Sequence, residues 1–163
     1  MGDKMIAVAI TGISGAGKTS LIEKLIRKFS EVGIRVGYLK HSHHSFKFHP
    51  EGKDTSRIFE AGATQVLFAG KGVTVDLRRE EVFLEEIMRR AAGVEVLLIE
   101  GFGREEIPSI EVVSEAWDGT TKGGGTIAIV GDVKEDRGVP VFPSHDIEGI
   151  TDFILGLKSH EGK

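Results

Sequence analysis

Gly12-Ile13-Ser14-Gly15-Ala16-Gly17-Lys18-Thr19, residues 12–19, is the stretch whose reading decides the fold. It fits G-x-x-x-x-G-K-[ST] without a mismatch. Glycines let backbone wrap closely around a phosphate where side chains would clash. The backbone N–H groups of Gly15, Gly17, Lys18 and Thr19 can then act as donors, and the helix that follows adds the positive end of its dipole. Lys18 supplies a cation for the β and γ phosphates, and the Thr19 hydroxyl is placed to ligate Mg²⁺. Gly12, Ser14, Gly15, Ala16, Gly17, Lys18, Thr19 and Ser20 are the candidate phosphate-binding residues. A glycine-rich turn can match the pattern by chance, but here the match sits after a strand signal and before a helix signal, the context that the motif requires.

Working outward, residues 5–11 form a short apolar run, β-branched at Ile6, Val8 and Ile10, and read as a buried strand. Residues 18–32 carry Leu21, Ile22, Leu25, Ile26 and Phe29 at spacings of three and four, so one helix face is apolar. Gly33 ends that helix and residues 34–39 form a second strand, expected beside the P-loop strand. This strand–loop–helix–strand unit implies a right-handed crossover and a parallel sheet. Residues 40–52 are a polar loop, and 53–60 a short helix ended by Gly62. Residues 64–69 and 73–77 form a hairpin joined by Gly70-Lys71-Gly72. A helix is expected over 80–92, a nearly all-apolar central strand over 94–99, and a further strand over 107–113. Residues 116–125 read as a loop, 126–130 as a strand and 146–157 as a closing helix. The expected product is a single domain over 1–163, a three-layer α/β/α P-loop fold with a mostly parallel sheet and ligands at the carboxyl ends of its strands.

Composition narrows the classes. A chain of 163 residues fits one ordinary core, and 40% hydrophobic with 28% charged residues is globular composition. The formal net charge of −4 disfavours non-specific nucleic-acid binding. Nothing approaches a run of about twenty apolar residues, so no membrane span is expected. The opening MGDKMIAVAI reads as a strand leading into a motif and not as a signal peptide; cytoplasmic residence is the default expectation. The absence of cysteine excludes disulfides, thiolate metal sites and cysteine nucleophiles.

Four further groups can carry chemistry. Residues 94–99 lead into Glu100 and Gly101, an apolar strand ending in an acid, the form of a Walker B element. Glu100 can meet Mg²⁺ directly or through water, or orient a water; the bland alternative is a strand cap. Lys18 and Glu100 are thus the candidate catalytic pair. In Lys53-Asp54-x-x-Arg57, Asp54 can be a second acid near the metal, and Lys53 and Arg57 can meet an anion; spacing alone favours an exposed helix start. His41, His43, His44 and His49 can hold a metal or donate to a phosphate or heterocycle. The second use fits better, because this segment leaves the strand expected next to the P-loop strand. Asp132 ends the strand at 126–130 and can accept from guanine N1–H and the exocyclic amine; a strand-end turn explains it equally well.

Several segments together resemble one family: GISGAGKTSL (12–21), VGYLKHSHH (36–44), GKDTSRIFEAGA (52–63), LLIEGF (97–102), IPSIEV (107–112) and DIEGITDFIL (146–155). The chain resembles molybdopterin-guanine dinucleotide biosynthesis protein B over nearly its whole length. The resemblance implies a three-layer P-loop fold, a homodimer, GTP binding with Mg²⁺, and weak GTPase activity. It also implies a role beside the guanylyltransferase that attaches GMP to molybdopterin. Carried onto this sequence, it puts phosphate duties on Gly12 to Thr19 and the Walker B role on Glu100. His43, His44, Lys53, Asp54 and Arg57 become candidates for the triphosphate end or the pterin side.

Three other readings stand beside this one. A small-molecule kinase needs an acceptor pocket and an arginine-rich lid, yet the pair Arg89-Arg90 falls on the helix expected over 80–92. A nickel-delivery GTPase would use the histidine segment, but the absence of cysteine from this chain weakens that reading. A binding module would use nucleotide only to order a docking surface. Phosphoryl transfer to water would rest on positioning and on the charge of Mg²⁺ and Lys18. Arg57 and Arg104 are the candidate arginine fingers, and without one slow turnover is expected.

Overall fold

The computed structural model describes residues 5–41, 53–101, 107–114, 125–133 and 137–157. They fall into two compact units, 1–41 with 91–163, and 42–90.

The first unit is built on a six-stranded sheet. Its strands are β1 (Ile6–Thr11), β2 (Val36–Lys40), β5 (Val96–Glu100), β6 (Ser109–Val112), β7 (Thr126–Val130) and β8 (Val141–Phe142), in the order β2-β5-β1-β6-β7-β8. Every pairing in it is parallel. Helices α1 (Lys18–Glu31) and α4 (Ile147–Gly156) pack on each other and on β1. The apolar stripe of α1 buries Leu21, Ile22, Leu25 and Phe29. These meet Val8 and Ile10 of β1, Val96 and Leu98 of β5, Ile110 of β6 and Ile150 and Ile154 of α4 in one core. Each such side chain contributes roughly 1.5–3 kcal/mol of transfer free energy. The alternate residues Ala9, Leu97, Ile99 and Ile129 are buried as well, as strands covered on both faces require.

The second unit holds α2 (Lys53–Glu60), β3 (Gln65–Gly70), β4 (Val73–Arg78) and α3 (Leu84–Arg90). The strands form the antiparallel hairpin expected from the glycines, with Gly70 opposite Val73. Arg79 ties α2 to it, lying 4.3 Å over the Phe59 ring and donating to the Phe59 carbonyl.

Two expectations are corrected, and one strand went unread. The strand before the histidine segment does not neighbour the P-loop strand, because β5 lies between them. All five residues of β5 are buried, so it takes the interior place, whereas half-exposed β2 takes the edge. The helix expected over 80–92 spans only Leu84–Arg90. Its periodicity did not mark the start: Phe83 O accepts the first N–H groups, and Glu80 is engaged by Arg78 and Arg90. Finally, β8 went unread, since two residues after Pro140 show no period.

Candidate functional site

Gly12, Gly15 and Gly17 have φ of 131°, 79° and 95°, values that side-chain-bearing residues rarely adopt. The loop therefore needs glycine at three of its eight positions for backbone reasons alone. Gly12 has a second constraint: a Cβ there would lie 2.2 Å from the Val112 carbonyl oxygen. Gly17 is the N-cap of α1 and provides no side-chain cap; the first turn carries no acid. The first N–H groups of a helix have no intrahelical acceptor. Those of Lys18, Thr19 and Ser20 thus remain donors for an anion, at the positive end of the helix dipole. Ser14, Gly15, Thr19 and Ser20 are exposed. Lys18 folds back over the loop, Nζ donating to the carbonyls of Gly12 (3.0 Å) and Ile13 (2.7 Å).

A cleft of about 390 Å³ opens from this loop along the carboxyl ends of the sheet. Ala16, Gly17, Ser20 and Lys24 line one side, and Asp132 and Ser144 are among the residues lining the rest. Asp132 thus shares a cleft with the phosphate loop, as a base-reading carboxylate must. Lys24 and Ser144 were not singled out in the sequence; a lysine on an exposed helix turn and a serine after a proline carry no local signal.

Glu100 ends β5 opposite Ile10 of β1 on one side and Lys40 of β2 on the other. Its side chain is only 12% exposed. The Tyr38 hydroxyl donates to Glu100 Oε2 at 2.7 Å, and Lys40 Nζ lies 3.5 Å from Oε1. Partial burial, and then the Glu100 carboxylate, push the Tyr38 hydroxyl up to about 12. Gly101, with φ 106°, follows at once, where a Cβ would be 2.2 Å from the His41 carbonyl oxygen. The strand-end carboxylate is therefore held from the β2 side by two residues that sequence reading did not pair with it.

The remaining candidates lie elsewhere. Asp54 and Arg57 form an exposed ion pair with each other at 3.6 Å on α2. Lys53 begins that helix, and its side chain lies outside the described residues, as do His43, His44, His49 and Arg104 and all but the ends of the loops expected over 40–52 and 116–125. A cleft of about 640 Å³ in the second unit is lined by Asp76, Arg78, Glu80, Glu86 and Arg90. These side chains pair with one another.

Mg²⁺ bound with a nucleotide keeps several waters and takes one or two protein oxygens besides the phosphates. The exposed Thr19 hydroxyl at the start of α1 and the Glu100 carboxylate on the strand beside β1 fit that donor set. Among the described residues no three or more His, Asp and Glu side chains gather as a ready metal cage.

The family described as MobB, molybdopterin guanine dinucleotide synthesis protein B, matches residues 7–132. The chain belongs to the MobB family. The MobB signature thus spans the P-loop, Glu100 and Asp132 together. The chain is 32% identical to the molybdopterin-guanine dinucleotide biosynthesis adapter protein of Escherichia coli K12, covering 91% of this chain and 90% of that one. It is 34% identical to the probable MobB adapter protein of Bacillus subtilis, with the same coverages of 91% and 90%. The crystal structure of Bacillus subtilis MobB superposes with a TM-score of 0.78 at 32% identity, covering 93% of this chain and 97% of that one.

Proposed function

We propose that this chain binds GTP with Mg²⁺ and acts as the nucleotide-dependent adapter in formation of molybdopterin guanine dinucleotide. The observation that carries the reading is the single cleft shared by the phosphate loop and Asp132. The donors of Lys18, Thr19 and Ser20 cradle the phosphates, and Lys18 Nζ exchanges its two loop carbonyls for phosphate oxygens. Asp132 accepts from guanine N1–H and the exocyclic amine, a donor pair that adenine lacks. Bound Mg²⁺ would neutralise phosphate charge, with Thr19 and Glu100 as its protein oxygens. Hydrolysis is slow, because positioning and charge are all that these residues supply.

The names of the relatives support the pathway, and they suggest the guanylyltransferase of that pathway as partner and molybdopterin as a neighbour of the site. A homodimer and a cytoplasmic location complete the proposal; among the described residues no helix is long and apolar enough to cross a membrane. The test is calorimetric titration with GTP and with ATP, each with Mg²⁺, on the wild type and on Lys18→Ala. GTP binding at least about tenfold tighter than ATP, roughly 1.4 kcal/mol, and lost in the variant, is the expected result. Equal or tighter ATP binding sinks the guanine assignment.

A further inference from the structure

Both partners of the Glu100 carboxylate come from one strand, two residues apart and therefore on one face. They hold it unequally. The Tyr38 bond at 2.7 Å is short and charge-assisted. The Lys40 contact at 3.5 Å is an ion pair at the limit of hydrogen-bond length, on a lysine side chain that is 54% exposed. Exposed lysine pairs of this kind are weak and exchangeable. A nearly buried carboxylate still needs a counter-charge, all the more beside a loop that receives a triphosphate. Mg²⁺ takes carboxylate oxygens, and two cations drawn to one oxygen repel each other, so each weakens the other's hold.

We propose that Lys40 is the place-holding counter-ion of Glu100, displaced from Oε1 when metal-bound nucleotide arrives, and that Tyr38 is the positioning residue that keeps Oε2 throughout. This rests on the reading of Glu100 as the metal-side carboxylate. It assigns opposite roles to two side chains on the same group: Lys40 competes with the metal, whereas Tyr38, bonded to Oε2, orients the carboxylate whose Oε1 receives it. Lys40 also leads through His41, whose N–H donates to Glu100 O at 2.8 Å, into the histidine-bearing segment.

The test uses the full chain with a saturating fluorescent GTP analogue. It measures the Mg²⁺ concentration that half-saturates nucleotide binding, and direct Mn²⁺ binding by electron paramagnetic resonance. Lys40→Met should tighten metal binding about two- to fivefold, as expected for loss of a weak competing pair. Lys40→Arg, which keeps the charge, should stay near wild type. Tyr38→Phe should weaken metal binding about three- to tenfold. In the Glu100→Gln background neither substitution should matter further. Unchanged or weaker metal binding in Lys40→Met overturns the competitor role, and unchanged or tighter binding in Tyr38→Phe overturns the positioning role. If Glu100→Gln alone leaves metal affinity unchanged, the underlying reading of Glu100 falls instead, while GTP binding itself can survive. Melting curves of each variant separate these outcomes from unfolding.

Discussion

Gly12 passes so close to Val112 that a Cβ on it would sit 2.2 Å from the Val112 carbonyl oxygen. The first P-loop glycine is thus required by sheet packing as well as by the shape of the loop, since Val112 ends the strand that neighbours β1. Gly17 differs: its φ of 95° is also positive, but a Cβ there would meet nothing within 4 Å. Gly17→Ala should therefore cost the backbone strain alone, roughly 1–2 kcal/mol. Gly12→Ala adds a clash with backbone that cannot swing aside, so its loss should exceed that of Gly17→Ala by at least about 1 kcal/mol. Urea denaturation of the two variants checks the order. Equal losses would show that β6 gives way.

Much of this fold was legible because its signals are local. The P-loop match, the stripe Leu21-Ile22-Leu25-Phe29 and the glycines at 70 and 72 each specify structure within a few residues, and α1, α2 and the β3–β4 hairpin appear where they point. Strand order is not local. Nothing near Tyr38 announces that its hydroxyl meets Glu100, 62 residues away, because that depends on β5 lying between β1 and β2. The same applies to Ser144, brought to the cleft from far along the chain. Glu111 lies in a segment read simply as a strand, yet its side chain is buried at 1% exposure. Residues marked by a local pattern were named from the sequence, whereas partners brought in by strand order, Tyr38 and Lys40 at Glu100, were not.

Tyr38 is the only tyrosine in the chain, so tyrosinate absorbance reports on it alone. Its midpoint should lie near 12, above the ordinary 10.0, through partial burial and then the Glu100 carboxylate. The sign follows: the neutral hydroxyl is favoured in the fold, so its contribution to stability is complete below pH 10 and disappears as pH rises towards 12. Glu100→Gln removes the carboxylate but not the burial, and should bring the midpoint only part of the way down. A wild-type midpoint at the ordinary value, with circular dichroism still native, would show that the Tyr38–Glu100 bond does not form in solution.

The closing helix depends on one cap. Asp146 accepts from the Gly149 N–H at 2.9 Å, and a Cβ on Gly149 would lie 2.4 Å from Asp146 Oδ2. Asp146→Ala should lower stability by about 0.5–2 kcal/mol, while Asn in its place keeps an accepting oxygen and should cost much less. The urea midpoint should move with an unchanged slope. A loss as large in Asp146→Asn would mean that the charge, and not the cap, matters.

Asp132 offers the sharpest test of base reading. A carboxylate accepts twice, which matches the N1–H and amine of guanine; an asparagine amide accepts once and donates once, which matches the N1–H and 2-carbonyl of xanthine. Asp132→Asn should therefore weaken GTP binding by roughly tenfold to a hundredfold, the range for hydrogen bonds to a charged group. It should narrow or reverse the preference for GTP over xanthosine triphosphate. ATP has no matching donor pair to lose, so its affinity should change little. Because the phosphate loop is untouched, the three nucleotides report on the base alone, and calorimetry with each, in the presence of Mg²⁺, separates the cases. A parallel fall for all three would reassign Asp132 to the shape of the cleft that it shares with Ala16, Ser20 and Ser144, leaving guanine selection to other residues.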